Sequence, residues 1–92
     1  MRERGLDGRI IGRILRRKRL EKKAKDNKWT IEYLGAEANL DHKHIQKLET
    51  GLKKAPQFIT IAKIARALNY STEELIDEYY EELEKLSPDG SE

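Results

Sequence analysis

The stretch Thr30–Gly51, TIEYLGAEANLDHKHIQKLETG, restricts this chain more than any other. It reads as two short helices with a sharp turn between them. Thr30 suits a helix N-cap, because its hydroxyl accepts a bond from a free backbone N–H of the first turn. Trp29 and Leu34 have the spacing of a hydrophobic staple around that cap. The first helix then runs to about Ala38. Asn39 ends it, since Asn enters the left-handed region more readily than any residue but Gly. Asp41 caps a second helix that runs to about Glu49, and Gly51 supplies the positive φ of a helix stop.

Leu34, Leu40, Ile45 and Leu48 are the apolar positions of the unit. Gly35 falls where the two helices come closest, so a side chain there would push them apart. His42, Lys43, His44, Gln46 and Lys47 are left on the outside of the second helix. This is the pattern of a helix-turn-helix, whose second helix enters a DNA major groove and meets base edges with its early residues. The alternative is a solvated helix face, where charged residues usually lie.

The rest of the chain supports a small, single, all-helical domain. It has 92 residues, 39% of them charged, two prolines and no cysteine. The cysteine count excludes a disulfide framework and thiolate metal sites. No apolar run reaches the roughly 18 residues of a membrane span, and no signal-peptide pattern opens the chain, so an intracellular protein is expected. A net charge of +2 hides a strong asymmetry. Residues 1–30 hold twelve Lys/Arg against four Asp/Glu, residues 31–69 six against four, and residues 70–92 one against nine. A basic head favours a polyanion, and an acidic tail favours another partner or plain solubility.

Residues 1–8 read as a flexible lead-in, with Arg2 and Arg4 within range of phosphates or simply disordered. A basic helix follows from Arg9, with Ile11, Ile14, Leu15 and Leu20 as its apolar stripe. Arg13, Arg16, Arg17, Lys18, Lys22 and Lys23 surround it, too widely spread for one ligand. Lys25–Lys28 reads as a loop. After the central unit, residues 52–56 form another loop whose Lys53 and Lys54 suit backbone phosphates. Pro56 opens a core helix running to Leu68, with Phe58, Ile61, Ala62, Ile64, Ala65 and Leu68 on its apolar face. Ser71 and Glu74 have capping-box spacing, and Tyr70 with Leu75 repeats the staple. The last helix ends near Leu86, and residues 87–92 read as a disordered tail. Its stripe of Tyr79, Tyr80, Leu83 and Leu86 serves either a second copy of the chain or a protein partner, or folds back to bury its own tyrosines.

Other chemistry finds little support. His42 and His44, two positions apart on a helix, point to nearly opposite sides and cannot chelate one metal. There is no cysteine nucleophile, no Gly-rich phosphate loop and no Ser beside a candidate base. Neither an enzyme nor a cofactor is expected.

Taken in order, Ile11-Gly12, Leu15 through Arg19, Thr30 with Leu34-Gly35, IQKLETG at 45–51, Pro56 and IAKIARALNYSTEEL at 61–75 carry a resemblance. The chain resembles the Cro/phage-repressor class of helix-turn-helix proteins, the XRE family, over about Ile11 to Leu75. The resemblance implies an all-α, five-helix, lambda-repressor-like domain, here with an extended basic first helix and an acidic last one. It implies an ion pair between Arg19 and Glu49. It also implies transcriptional regulation by operator binding, usually as a dimer, in the cytoplasm of a bacterial or phage-type system. Three departures stand out. The family's Gln after the helix-two Thr touches the DNA backbone, whereas Ile31 cannot, and an exposed Ile31 would mark a protein contact instead. Asn39 replaces the usual turn Gly. About five extra residues, near 24–28, precede Thr30; they lengthen the first helix or form a basic loop.

The expected site follows. His42, Lys43, Gln46 and Lys47 meet base edges of double-stranded DNA. Thr30, His44, Lys53, Lys54, Lys25 and Lys28 meet phosphates. Tyr79, Tyr80, Leu83 and Leu86 meet a second copy or a partner. Two other readings stay open: an antitoxin-like adaptor working through its acidic last helix, and a non-specific nucleic-acid binder relying on its basic head.

Overall fold

Asp7 opens the first helix by accepting the Arg9 amide at 2.9 Å. The computed structural model describes residues 7–53 and 55–86, so the expectations for the lead-in before Asp7, for Lys54 and for the 87–92 tail lie outside the described residues. The elements are α1 (Gly8–Lys25), α2 (Ile31–Ala38), α3 (His42–Glu49), α4 (Phe58–Ala67) and α5 (Thr72–Leu86), with no strand among the described residues. This is the five-helix, lambda-repressor-like arrangement.

α1 is the spine: it packs on α3 along one side and on α5 along another, while α2 packs on α3 and α4. α1 contributes Ile10, Ile11, Ile14 and Leu15 to the core, at most 1% exposed. Leu34 of α2 and Ile45 and Leu48 of α3 meet them, and Ile61, Ile64 and Ala65 of α4 close the far side. At α5 the capping box forms: the Glu74 amide donates to Ser71 Oγ at 3.0 Å, and the Ser71 amide donates to the Glu74 carboxylate at 3.2 Å. Tyr70 and Leu75, the staple pair, are both buried.

Several expectations are corrected. α1 begins one residue earlier, at Gly8, and continues through Lys25, so of the extra residues Ala24 and Lys25 lengthen it. Only Asp26–Lys28 turn, held by the Trp29 amide donating to the Asp26 carbonyl at 3.3 Å. Leu20 is 37% exposed, because five residues beyond Leu15 it has rotated off the buried stripe. α4 starts at Phe58 behind Gln57, two residues past Pro56. Phe58 is 58% exposed rather than core: at about 100° per residue the buried Thr60, Ile61, Ile64, Ala65 and Leu68 centre about 90° round the helix from it, so it lies off the edge of the buried stripe. Ile31 is half-buried and packs against the core, so it is no exposed contact. Tyr79 is 5% exposed, and its hydroxyl accepts the Asp7 amide at 2.8 Å, which removes it from any partner surface.

Opposite charges clasp α1 to α5. The Arg17 guanidinium reaches Glu78 and, at 3.4 Å, Glu82, while Lys18 lies 3.8 Å from Glu78. The Tyr70 hydroxyl donates to the same Glu78 carboxylate. Burial pushes the Glu78 carboxyl up, but the Tyr70 hydroxyl and the Arg17 and Lys18 charges outweigh it and hold the group below its ordinary value of 4.5. A depressed carboxyl stabilises the fold above its ordinary value and loses that contribution as pH falls through its folded value. Glu78→Gln therefore costs about 1 kcal/mol at neutral pH, the scale of a partly exposed pair. Thermal unfolding of both proteins from pH 7 downward should show the gap closing below the ordinary value. A gap independent of pH would assign the loss to packing.

Candidate nucleic-acid interface

Asn39 builds the turn between α2 and α3. It sits in the left-handed region at φ 58 and ψ 47, and the Leu40 amide then donates to the Gly35 carbonyl at 2.8 Å. A Cβ on Gly35 would stand 2.8 Å from the Leu40 carbonyl oxygen and 3.3 Å from the His42 backbone, so the close approach read from the sequence is real. Thr30 caps α2, its Oγ1 accepting the Tyr33 amide at 3.1 Å. Asp41 caps α3, accepting the Lys43 amide at 2.8 Å. Gly51 ends the unit at φ 82.

α3 is anchored on one side and open on the other. Ile45 and Leu48 are at most 1% exposed, and Glu49 is buried against α1. Arg19 donates from Nε and Nη2 to the two Glu49 oxygens at 2.7 and 2.9 Å, a bidentate pair. Its third nitrogen donates to the Trp29 carbonyl at 3.0 Å, which ties the loop before α2 to the end of α3. The Arg19–Glu49 pair implied by the resemblance thus holds three elements in register.

The opposite face carries His42, Lys43, Gln46 and Lys47, all exposed. At 3.6 residues per turn, positions i, i+1, i+4 and i+5 fall within an arc of about 140° on one side of a helix. Lys43, Gln46 and Lys47 have no side-chain partner among the described residues, and His42 only approaches Asp41 at 3.8 Å. A helix with its side chains is about 10–12 Å across, which a major groove about 12 Å wide admits. The structure thus brings together the four residues expected to meet bases. His44 is half-buried on the flank of α3, two residues and 200° round from His42.

The phosphate candidates are scattered. Thr30 spends its acceptor on the cap and keeps its O–H. Lys25 is exposed at the end of α1, and Lys53 is exposed after α3. Lys28 is engaged, 3.6 Å from Asp26 and 5.3 Å over the Tyr33 ring. Lys54 lies outside the described residues. Two features escaped the sequence reading. Gly12 lies at the closest approach of α1 and α3, where the Leu48 carbonyl occupies the space of a Cβ. Lys23 lines a cleft of about 300 Å³ together with Arg19, Thr30, Ile31, Glu32, His42 and Gln46. The signal for Lys23 was its place one turn beyond Arg19 on the same side of α1.

Of the residues expected on a partner surface, Tyr80 is 59% and Leu83 37% exposed, Tyr79 is buried, and the Leu86 side chain lies outside the described residues. Among the described residues no three His, Asp or Glu side chains converge as a metal site would require. No described helix is long and apolar enough to cross a membrane.

The helix-turn-helix family model matches residues 15–75, from the middle of α1 through the start of α5. No curated protein and no solved structure gives a significant match.

Proposed function

Because the chain belongs to the helix-turn-helix family of DNA-binding regulators of the XRE type, we propose that it is a sequence-specific repressor that reads double-stranded DNA with α3. The observation that carries the reading is the free face of α3. Four hydrogen-bonding side chains stand exposed on a helix whose other face is locked by Ile45, Leu48 and the Arg19–Glu49 pair. A helix serving packing alone has no use for that rigidity behind an open polar face. His42, Lys43, Gln46 and Lys47 contact base edges, with Lys choosing guanine and Gln adenine. Thr30, Lys25, Lys28, Lys53, Lys54 and His44 supply phosphate contacts that set register without reading sequence. The protein acts in the cytoplasm, on the DNA of a bacterial or phage-type system.

Selection from a random duplex library at about 150 mM salt, where non-specific contacts are weakened, tests this. Enrichment of half-sites about 34 Å apart, one DNA turn, supports a reader acting as a two-fold dimer. Enrichment of a lone half-site keeps the reader without the dimer. Lys43→Ala should lose about 1–3 kcal/mol of discrimination at one base pair. An unchanged base preference in the repeated selection would show that Lys43 does not read bases.

The exposed Tyr80 and Leu83 favour a second reading, a protein-interaction module of the antitoxin-like adaptor kind working through α5. A library with no enriched sequence, from a protein that is monomeric in solution, would support it.

A further inference from the structure

We propose that the lengthened end of α1 is a DNA-backbone grip, and that Lys23 is its phosphate ligand. The proposal rests on the DNA-reading function and adds a residue that function did not include. It begins from how the four lysines between residues 22 and 28 are placed. Lys22 Nζ lies 4.9 Å from the centre of the Trp29 ring, and Lys28 Nζ lies 5.3 Å from that of Tyr33. Trp29 and Tyr33 meet edge to face with centroids 4.9 Å apart. Cations held on aromatic faces are partly satisfied already. Lys25 is exposed, with no ion pair among the described residues, beyond the cleft.

Lys23 differs from all three in its place. Half-buried like Lys22, it lines the cleft shared with His42 and Gln46, and among the described residues it has no ion pair and no aromatic ring beneath it. The charge that faces DNA from this cleft falls to it. Arg19, on the same wall, is spent on Glu49 and the Trp29 carbonyl. Glu32 opposes an anion here, and Ile31 offers it nothing. A duplex seated with base edges against His42 and Gln46 brings its backbone past the rim of this cleft, within the reach of one lysine. The Trp29–Tyr33 pair braces the turn after α1, so the ammonium is presented from a rigid helix end. The ligand class is a backbone phosphate of double-stranded DNA, and the contact carries no sequence information.

The test is a salt titration of binding to two labelled duplexes, one of random sequence and one carrying the selected site. Lys23→Ala should weaken both about three- to ten-fold and lower the slope of log affinity against log salt by about 0.9, one phosphate's worth. Lys23→Arg should restore the slope, and Lys63→Ala, on the exposed face of α4, should leave it unchanged. Circular dichroism melting of each variant confirms that it is folded. An unchanged slope for Lys23→Ala overturns the grip while the reading function stands, and so does a loss confined to the selected site. Wild-type protein that binds neither duplex overturns the reading function and the grip together.

Discussion

Gly12→Ala is expected to leave the protein unfolded or close to it, with a loss of about 4 kcal/mol or more, at the exceptional end for one substitution. A methyl at this position would overlap the Leu48 carbonyl oxygen outright and stand 2.9 Å from its carbonyl carbon. Two effects compete. Alanine is the better helix former by about 1 kcal/mol, which favours the variant. Overpacking against side chains that can move costs about 1–3 kcal/mol. Here the obstacle is the backbone of α3, so relief requires prising α1 from α3 along their whole contact. The steric cost wins, and against a total stability of roughly 5–15 kcal/mol it is decisive. Urea unfolding should show the midpoint falling by about 2 M, since the slope for a small domain is roughly 1–3 kcal/mol per molar. A midpoint close to that of the wild type would mean that the two helices separate cheaply, and the packing described between them would be wrong.

Arg19→Ala and Glu49→Ala should each cost about 3–5 kcal/mol, because either leaves a buried charge without its partner. Both residues are at most 9% exposed, and the pair is bidentate. The double variant Arg19→Met/Glu49→Leu should recover most of the loss, since two apolar side chains of similar volume leave no charge stranded. Stability measured for the wild type, Arg19→Met, Glu49→Leu and their double variant, a closed cycle, isolates the coupling. Singles costing under about 1 kcal/mol would place the pair in solvent, at the value of a surface bridge. The double variant separates stability from function. It loses the bond from Arg19 to the Trp29 carbonyl, so the loop before α2 is untied from the end of α3.

Much of the helix-turn-helix was legible because its signals are local. Thr30, Asp41 and Ser71 cap helices through bonds to residues two or three positions away, and Asn39 and Gly51 adopt positive φ within single residues. Such features need no knowledge of the far side of the molecule. Burial at helix ends was less legible. Phe58 is apolar and near helical spacing from Ile61 and Ala65 yet stays exposed, because packing centred the buried arc of α4 on Thr60, Ile61, Ile64 and Leu68, to one side of it. Tyr79 and Tyr80 are neighbours of one type, but a 100° step buries one under the start of α1 and leaves the other open. Lys23 was one basic residue among many until the fold set it beside His42 and Gln46.

The sequence alone determined the five helices, the turn at Asn39, the separation of basic head from acidic tail, and the polar residues on the outside of α3. Each depends on periodicity, capping chemistry or composition, which act over a few residues. Tertiary structure alone decided that Gly12 is the contact point of α1 and α3, that Glu78 and Glu82 hold Arg17, and that Lys23 rather than Lys22 or Lys28 lines the cleft beside His42 and Gln46. These are meetings between residues far apart in the chain or of which faces survive packing. Their geometry comes from how α1 crosses its neighbours, which no single stretch of sequence encodes.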